Sequence, residues 1–265
     1  MAKALSSYYN EETGKTAGII KYAVGGSSLQ NKTSGTPHSY GNWVSPSYAE
    51  HLDVSYVSTS ATGKLYRNLL DQVKKNISEL AAYGGYTDIH MKGLYWMQGC
   101  NDRAKPQEYE LAFQYFAEDI RNDLSALMKE YTKSENDCGA SEMPIIVGTI
   151  SQTQNLTSAT TENTNKQFIE MQKGLVEKVE NCHVVDNSAY AITRWENNAA
   201  VVVGSDKWHW NQADALEIGE NVGKCLLTIL EENDQTTQIP EPKLQIQSGT
   251  ELRKFDLGDS TLWSS

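Results

Sequence analysis

The chain has 265 residues, 39% hydrophobic and 22% charged, the composition of a soluble globular protein with a core of its own. Its 34 acidic against 23 basic residues leave a formal net charge of −11, which argues against nucleic acid as a partner, because phosphate backbones are gripped by clustered cations. No apolar run approaches the ~18 residues of a membrane span, so no membrane partner is expected, and Met1–Leu5 runs into polar Ser6 and Ser7 without the apolar stretch of a secretory leader.

In chain order, Gly18–Val24 (GIIKYAV) is a short apolar run closed by Gly25 and Gly26, which predicts a buried strand and a tight turn. From Thr62 the spacing turns helical through Tyr66, Leu69, Leu70, Val73, Ile77 and Leu80, and Gly84-Gly85 stops it. Ile89–Gln98 predicts a strand running into Gly99, and Pro106 suits the first turn of a helix whose stripe is Phe113, Phe116, Ile120, Leu124, Leu127 and Met128. Pro144–Ile150 predicts another buried strand. The polar stretch 151–165 reads as a surface loop, 162–180 as a helix, His183–Asp186 as a short strand and Asn211–Leu230 as the last helix. Residues 232–250, with both late prolines, read as a linker.

Strands separated by helices of this length imply βαβ units, hence an α/β fold with a mainly parallel sheet covered on both faces, a three-layer α/β/α sandwich. Such sheets bind ligands outside the carboxyl ends of their strands. Three segments with chemistry fall at those ends: Gly25-Gly26-Ser27-Ser28-Leu29, Trp96-Met97-Gln98-Gly99-Cys100-Asn101-Asp102, and Asp206-Lys207-Trp208-His209. The cysteines Cys100, Cys138, Cys182 and Cys225 form no C-x-x-C pair, so no structural metal is expected and idle thiols are the simpler reading. Gly14-Lys15-Thr16 fails as a phosphate loop, because Tyr9 stands where its first glycine belongs.

In this order the three segments resemble the second, third and fifth blocks of SGNH (GDSL-type) hydrolases. The nearest likeness is to the sialate O-acetylesterase-like and acetylxylan-esterase-like carbohydrate esterases, which typically read G-G-T-S-L, W-M-Q-G-E-S-D and D-x-x-H. Thr62–Tyr66 and Lys92–Leu94 are similar to that family as well, and the likeness covers roughly residues 1–230. It implies an esterase domain over residues 1–232, with 233–265 as linker and tail, acting on an acetylated sugar or xylan through an acyl-serine, with no metal and no cofactor. In the family's roles, His209 is the general base, Asp206 its orienting partner, Gly25 or Gly26 a backbone oxyanion donor, Asn101 a side-chain oxyanion donor, and Gln98 a wall of the pocket. Trp208 and Trp210 either stack on a sugar ring or cap the sheet.

Two departures from the family pattern stand out. Cys100 occupies the position where these esterases carry Glu; as a nucleophile it would lie on the oxyanion side of the site. The family's first block, which carries the serine, is expected ahead of residue 1 and is not found there. Gly258-Asp259-Ser260 is a literal G-D-S, but Glu251–Leu257 is too charged for a central strand buried on both faces. The last 25 or so residues are therefore expected outside the catalytic sheet. Ester hydrolysis by the chain is then expected to be poor unless another segment supplies the serine. The alternative is a non-catalytic relative that binds glycans.

Overall fold

A computed structural model describes residues 17–30, 41–133, 139–196, 199–237, 245–248 and 251–254. The elements, in order, are α1 (Pro46–His51), α2 (Lys64–Gly84), β1 (Leu94–Trp96), α3 (Pro106–Met128), β2 (Ile145–Gly148), α4 (Ala159–Gly174), β3 (Cys182–Val185), β4 (Thr193–Glu196), β5 (Ala199–Val202), α5 (Gln212–Thr237), β6 (Gln245–Ser248) and β7 (Glu251–Lys254). One sheet has the order β1-β2-β3, parallel throughout, with Trp96 opposite Val147 and Val147 opposite Val184. β2 is fully buried, as its uninterrupted apolar sequence requires of a central parallel strand. Together with its helices the sheet makes a mixed α/β fold of the α/β/α kind.

Helix boundaries follow local chemistry. α3 begins on Pro106, whose missing N–H costs nothing in the first turn. α4 begins after Ser158, whose hydroxyl accepts the Thr161 N–H. α1 takes its cap from outside: Asp119 of α3 accepts the N–H and the hydroxyl of Ser47 at 2.9 and 2.7 Å. The core at the sheet's carboxyl end is aromatic. Trp96 lies 4.3 Å from Phe116, centroid to centroid, and edge-on to Trp43, while Tyr109 meets Phe168 edge-on. These rings are nearly or fully buried, so the loops leaving β1 and β2 rest on a rigid floor.

Three expectations are corrected. Gly18–Val24 forms no strand and pairs with none among the described residues, and Ile19 and Val24 are exposed; an apolar run becomes a strand only where a neighbour takes its backbone groups. The polar stretch after β2 is not a surface loop: Ser151, Gln154 and Leu156 are buried, and helix α4 starts at Ala159. Residues 232–250 are not a plain linker, since α5 continues to Thr237 and Gln245–Ser248 pairs antiparallel with Glu251–Lys254. A second antiparallel ladder, β4 with β5, was not foreseen. The chain divides into two compact units, Met1–Leu227 and Thr228–Ser265, and β6 and β7 form a sheet of their own within the second. Ser260 and Cys138 lie outside the described residues. Among those described, no helix is long and apolar enough to cross a membrane.

Candidate active site

The Gly25-Gly26 turn and the segment after β1 are joined by one buried carboxylate. Asp102 is 1% exposed. It accepts the Ser28 hydroxyl, the Leu29 N–H at 3.1 Å and the Gln98 side-chain amide at 2.6 Å. The Gln98 amide also reaches the Ser27 carbonyl at 3.1 Å, and the Asn101 amide reaches the Gly26 carbonyl at 3.1 Å. Of the residues expected on the oxyanion side, Gly26, Gln98 and Asn101 are thus joined by hydrogen bonds, and Gly25 adjoins Gly26 in the turn. The serines of the turn are committed to it. Ser27 Oγ donates to the Val24 carbonyl and accepts the Trp43 indole N–H, both at 2.8 Å, while Ser28 Oγ lies between Asp102 and the Gln30 carbonyl.

Gly99 makes the sharp bend after β1. Its φ of 134° lies where side chains are strained, and a Cβ there would overlap the Phe168 ring. Gln172 of α4, fully buried, supports the bend, donating to the carbonyls of Gln98 and Gly148 and accepting the Ile150 N–H. Cys100 follows, and burial pushes its thiol up, away from the thiolate a nucleophile needs.

The D-x-x-H segment is a tight turn before α5. Asp206 Oδ1 accepts the N–H groups of Trp208 and His209 at 2.6 and 2.9 Å, and the carboxylate holds His209 Nδ1 at 2.8 and 3.0 Å. The His209 hydrogen bond, followed by the Trp208 N–H, keeps the Asp206 carboxyl below the usual carboxylate range. Nδ1–H therefore donates to Asp206, leaving Nε2 as the basic nitrogen. Both side chains are open to solvent, His209 at 72% and Asp206 at 53%. Among the described residues the ring hydrogen-bonds to Asp206 alone. Gly204 is needed behind the turn, because a Cβ there would overlap the His209 carbonyl oxygen.

The loop after β2 ties this turn to the segment after β1. Gln154 donates to Cys100 Sγ at 2.9 Å and to the Trp208 carbonyl at 2.8 Å, and the Asn155 N–H donates to the Lys207 carbonyl at 2.8 Å. Arg103 donates to the Cys100 carbonyl and lies 5.4 Å from the centroid of the Trp208 ring, which Lys207 also approaches. Trp210 is turned inward, its indole N–H on the Tyr190 carbonyl, whereas Trp208 stays 37% exposed. Of the two, Trp208 is the more exposed, with Arg103 and Lys207 beside its ring. Gln154 and Arg103 were not predicted: no spacing in the sequence ties them to His209. Among the described residues no group of three His, Cys, Asp or Glu stands close enough to hold a metal ion.

A parallel α/β sheet with these segments at its carboxyl end defines a protein of the SGNH hydrolase class. The chain belongs to the carbohydrate esterase family described as sialic acid-specific acetylesterase, whose model matches residues 2–228. No curated protein matches the chain. Among solved structures, a protein from Arabidopsis thaliana is similar at 18% identity with a TM-score of 0.38, over 62% of this chain and about half (52%) of that one.

Proposed function

We propose that the protein is a carbohydrate O-acetylesterase that removes acetyl groups from a sugar or xylan by serine-type hydrolysis, with neither metal nor cofactor. The observation that carries this reading is the Asp206–His209 pair, hydrogen-bonded through Nδ1 and tied by Gln154 to the Cys100–Asp102 turn. His209 Nε2 takes the proton of a serine hydroxyl as it attacks the acetyl carbonyl. Asp206 stabilises the imidazolium that forms. The Asn101 amide and the N–H groups of the Gly25-Gly26 turn face the developing oxyanion, and Gln98 lines the pocket beside them. The imidazolium then protonates the departing sugar oxygen, and water, activated by the same ring, releases acetate from the acyl-serine.

Ser27 and Ser28 serve the turn, so the attacking serine comes from elsewhere. Ser260 lies outside the described residues, in a tail expected outside the catalytic sheet. A second reading, a relative that binds glycans without turnover, is favoured by the His209 ring having Asp206 as its one hydrogen-bond partner among the described residues. Acetate release from acetylated xylan and from O-acetylated sialic acid decides between them. Under the first reading, His209→Ala lowers the rate by about 10²–10⁴-fold, whereas Ser260→Ala is expected to leave it unchanged, and a loss there would overturn that expectation. Binding of the glycan with no acetate released by the wild type would establish the second.

A further inference from the structure

We propose that Gln154 is a positioning residue for the base. Its neutral side-chain amide pins the carbonyl of Trp208, and with it the turn that aims His209, to Cys100 on the oxyanion side. The proposal rests on the reading of His209 as the general base.

Gln154 is 4% exposed, although its neighbours in sequence are almost all polar. Its backbone is held at both ends, the N–H on the Ser151 carbonyl at 3.2 Å and the carbonyl by the Asn165 amide of α4 at 2.9 Å. That fixes where the side chain starts. The amide nitrogen then makes two contacts, the Trp208 carbonyl at 2.8 Å and Cys100 Sγ at 2.9 Å. The amide cannot be turned over: its oxygen would then face the Trp208 carbonyl oxygen, acceptor against acceptor. One N–H goes to the turn and the other to the sulfur.

The turn itself depends on such outside support. Its N–H groups at Trp208 and His209 go to Asp206, a residue of the same turn, and so anchor it to nothing. Its carbonyls at Lys207 and Trp208 go to Asn155 and Gln154, consecutive residues of a loop rooted in the core. With 72% of its side chain in solvent, His209 has little packing to hold its ring, so the ring is aimed by the backbone of the turn and by Asp206, a residue of the same turn. A displacement of about 1 Å at a catalytic group is enough to cost about 10²-fold in rate. Cys100 gains a role through the same contact. It is the second acceptor that stops the Gln154 amide from swinging away from Trp208.

The test uses the full chain with Gln154→Leu, which keeps bulk and removes both donors, and Gln154→Glu, which keeps the shape. Amide hydrogen exchange across residues 206–209 is read by mass spectrometry, and acetate release is read as kcat and KM separately. Exchange in this turn is expected to quicken by about tenfold or more in both variants at neutral pH, with exchange elsewhere unchanged. A fall in kcat of about 10–100-fold is expected, with KM within about twofold of wild type. In Gln154→Glu the exchange defect recedes as the pH is lowered through the carboxyl's titration, because the protonated acid again donates to the Trp208 carbonyl; a purely structural role would show no such recovery. Wild-type exchange and kcat in both variants would overturn the proposal, as would an exchange increase spread evenly over the chain. If Gln154→Leu does not fold, Gln154→Glu carries the test. Should the wild type release no acetate, the esterase reading fails, while the exchange data still decide the role of Gln154.

Discussion

Asp102 is the residue whose loss should be felt most widely, because a single 1%-exposed carboxylate joins the glycine turn to the bend after β1. In Asp102→Ala, the Leu29 N–H and one hydrogen of the Gln98 amide lose their acceptor inside the protein. A buried donor left unpaired costs about 1–3 kcal/mol, and bonds to a charged acceptor lie at the upper end. Two such donors, less some relief from the Ser28 hydroxyl turning to the Gln30 carbonyl 2.9 Å away, give a destabilisation of about 3–5 kcal/mol. Asp102→Asn keeps the shape but sets an N–H₂ against at least one donor, for about 2–3 kcal/mol. Since domains of this kind hold about 5–15 kcal/mol in all, either change should be plain in urea unfolding followed by tryptophan fluorescence. The Asn101 and Gln98 amides should lose register together, so acetate release should fall more in Asp102→Ala than its unfolded fraction explains. A loss of stability under about 1 kcal/mol in Asp102→Ala would refute the account of Asp102 as the clip.

Other outcomes follow from the same geometry. Gly204→Ala pushes a methyl group into the His209 carbonyl; the backbone of the turn must shift, so acetate release should drop about tenfold or more and the melting temperature should fall, and an unaffected rate would show that the turn has slack. Burial pushes Asp186 up, but hydrogen bonds from Ser188 and from Lys173 outweigh it and bring it down to about 2. Its folded pKa lies below the unfolded value, so its contribution is present above about pH 4 and is lost as the pH falls toward 2. Both partners are more than a third exposed, 38% and 47%, so screening reduces that contribution to about 1 kcal/mol or less. Lys173→Met should therefore cost stability at pH 6 and almost none at pH 2, as read by denaturant titration at the two pH values. Cys100 and Cys182, their thiols raised by burial (Cys182 to about 11), should react with iodoacetamide at pH 7.5 more than tenfold slower than free cysteine; equal rates measured by mass spectrometry would show an activated thiol.

Much of the site was legible because it is built from short-range chemistry. The Asp206–His209 pair needs only a four-residue turn, and the carboxylate makes that turn itself by taking two backbone N–H groups. Pro106 and Gly85 bound their helices through their own backbone preferences. The segment from Trp96 to Asp102 announced itself by residue type as well as by its place after a strand. The Gly18–Val24 run misled, because its apolar pattern says nothing about whether a strand lies beside it. The β4–β5 ladder escaped notice because most of its residues face solvent and so carry no periodic apolar signal.

From the sequence alone came the α/β class and the strand ends at which the candidate residues gather, since these are local or periodic properties of the chain; the roles expected of His209, Asp206, Asn101 and the Gly25-Gly26 turn came from the family resemblance. Only the tertiary structure decided that a polar stretch after β2 is buried, that Asp102 holds two distant turns together, that Ser27 and Ser28 are bound into the turn, and that Gln154 spans from Cys100 to Trp208. Each of those rests on hydrogen bonds between residues tens of positions apart. A polar residue carries no mark of its partner until the fold removes water from around it and makes the pairing compulsory.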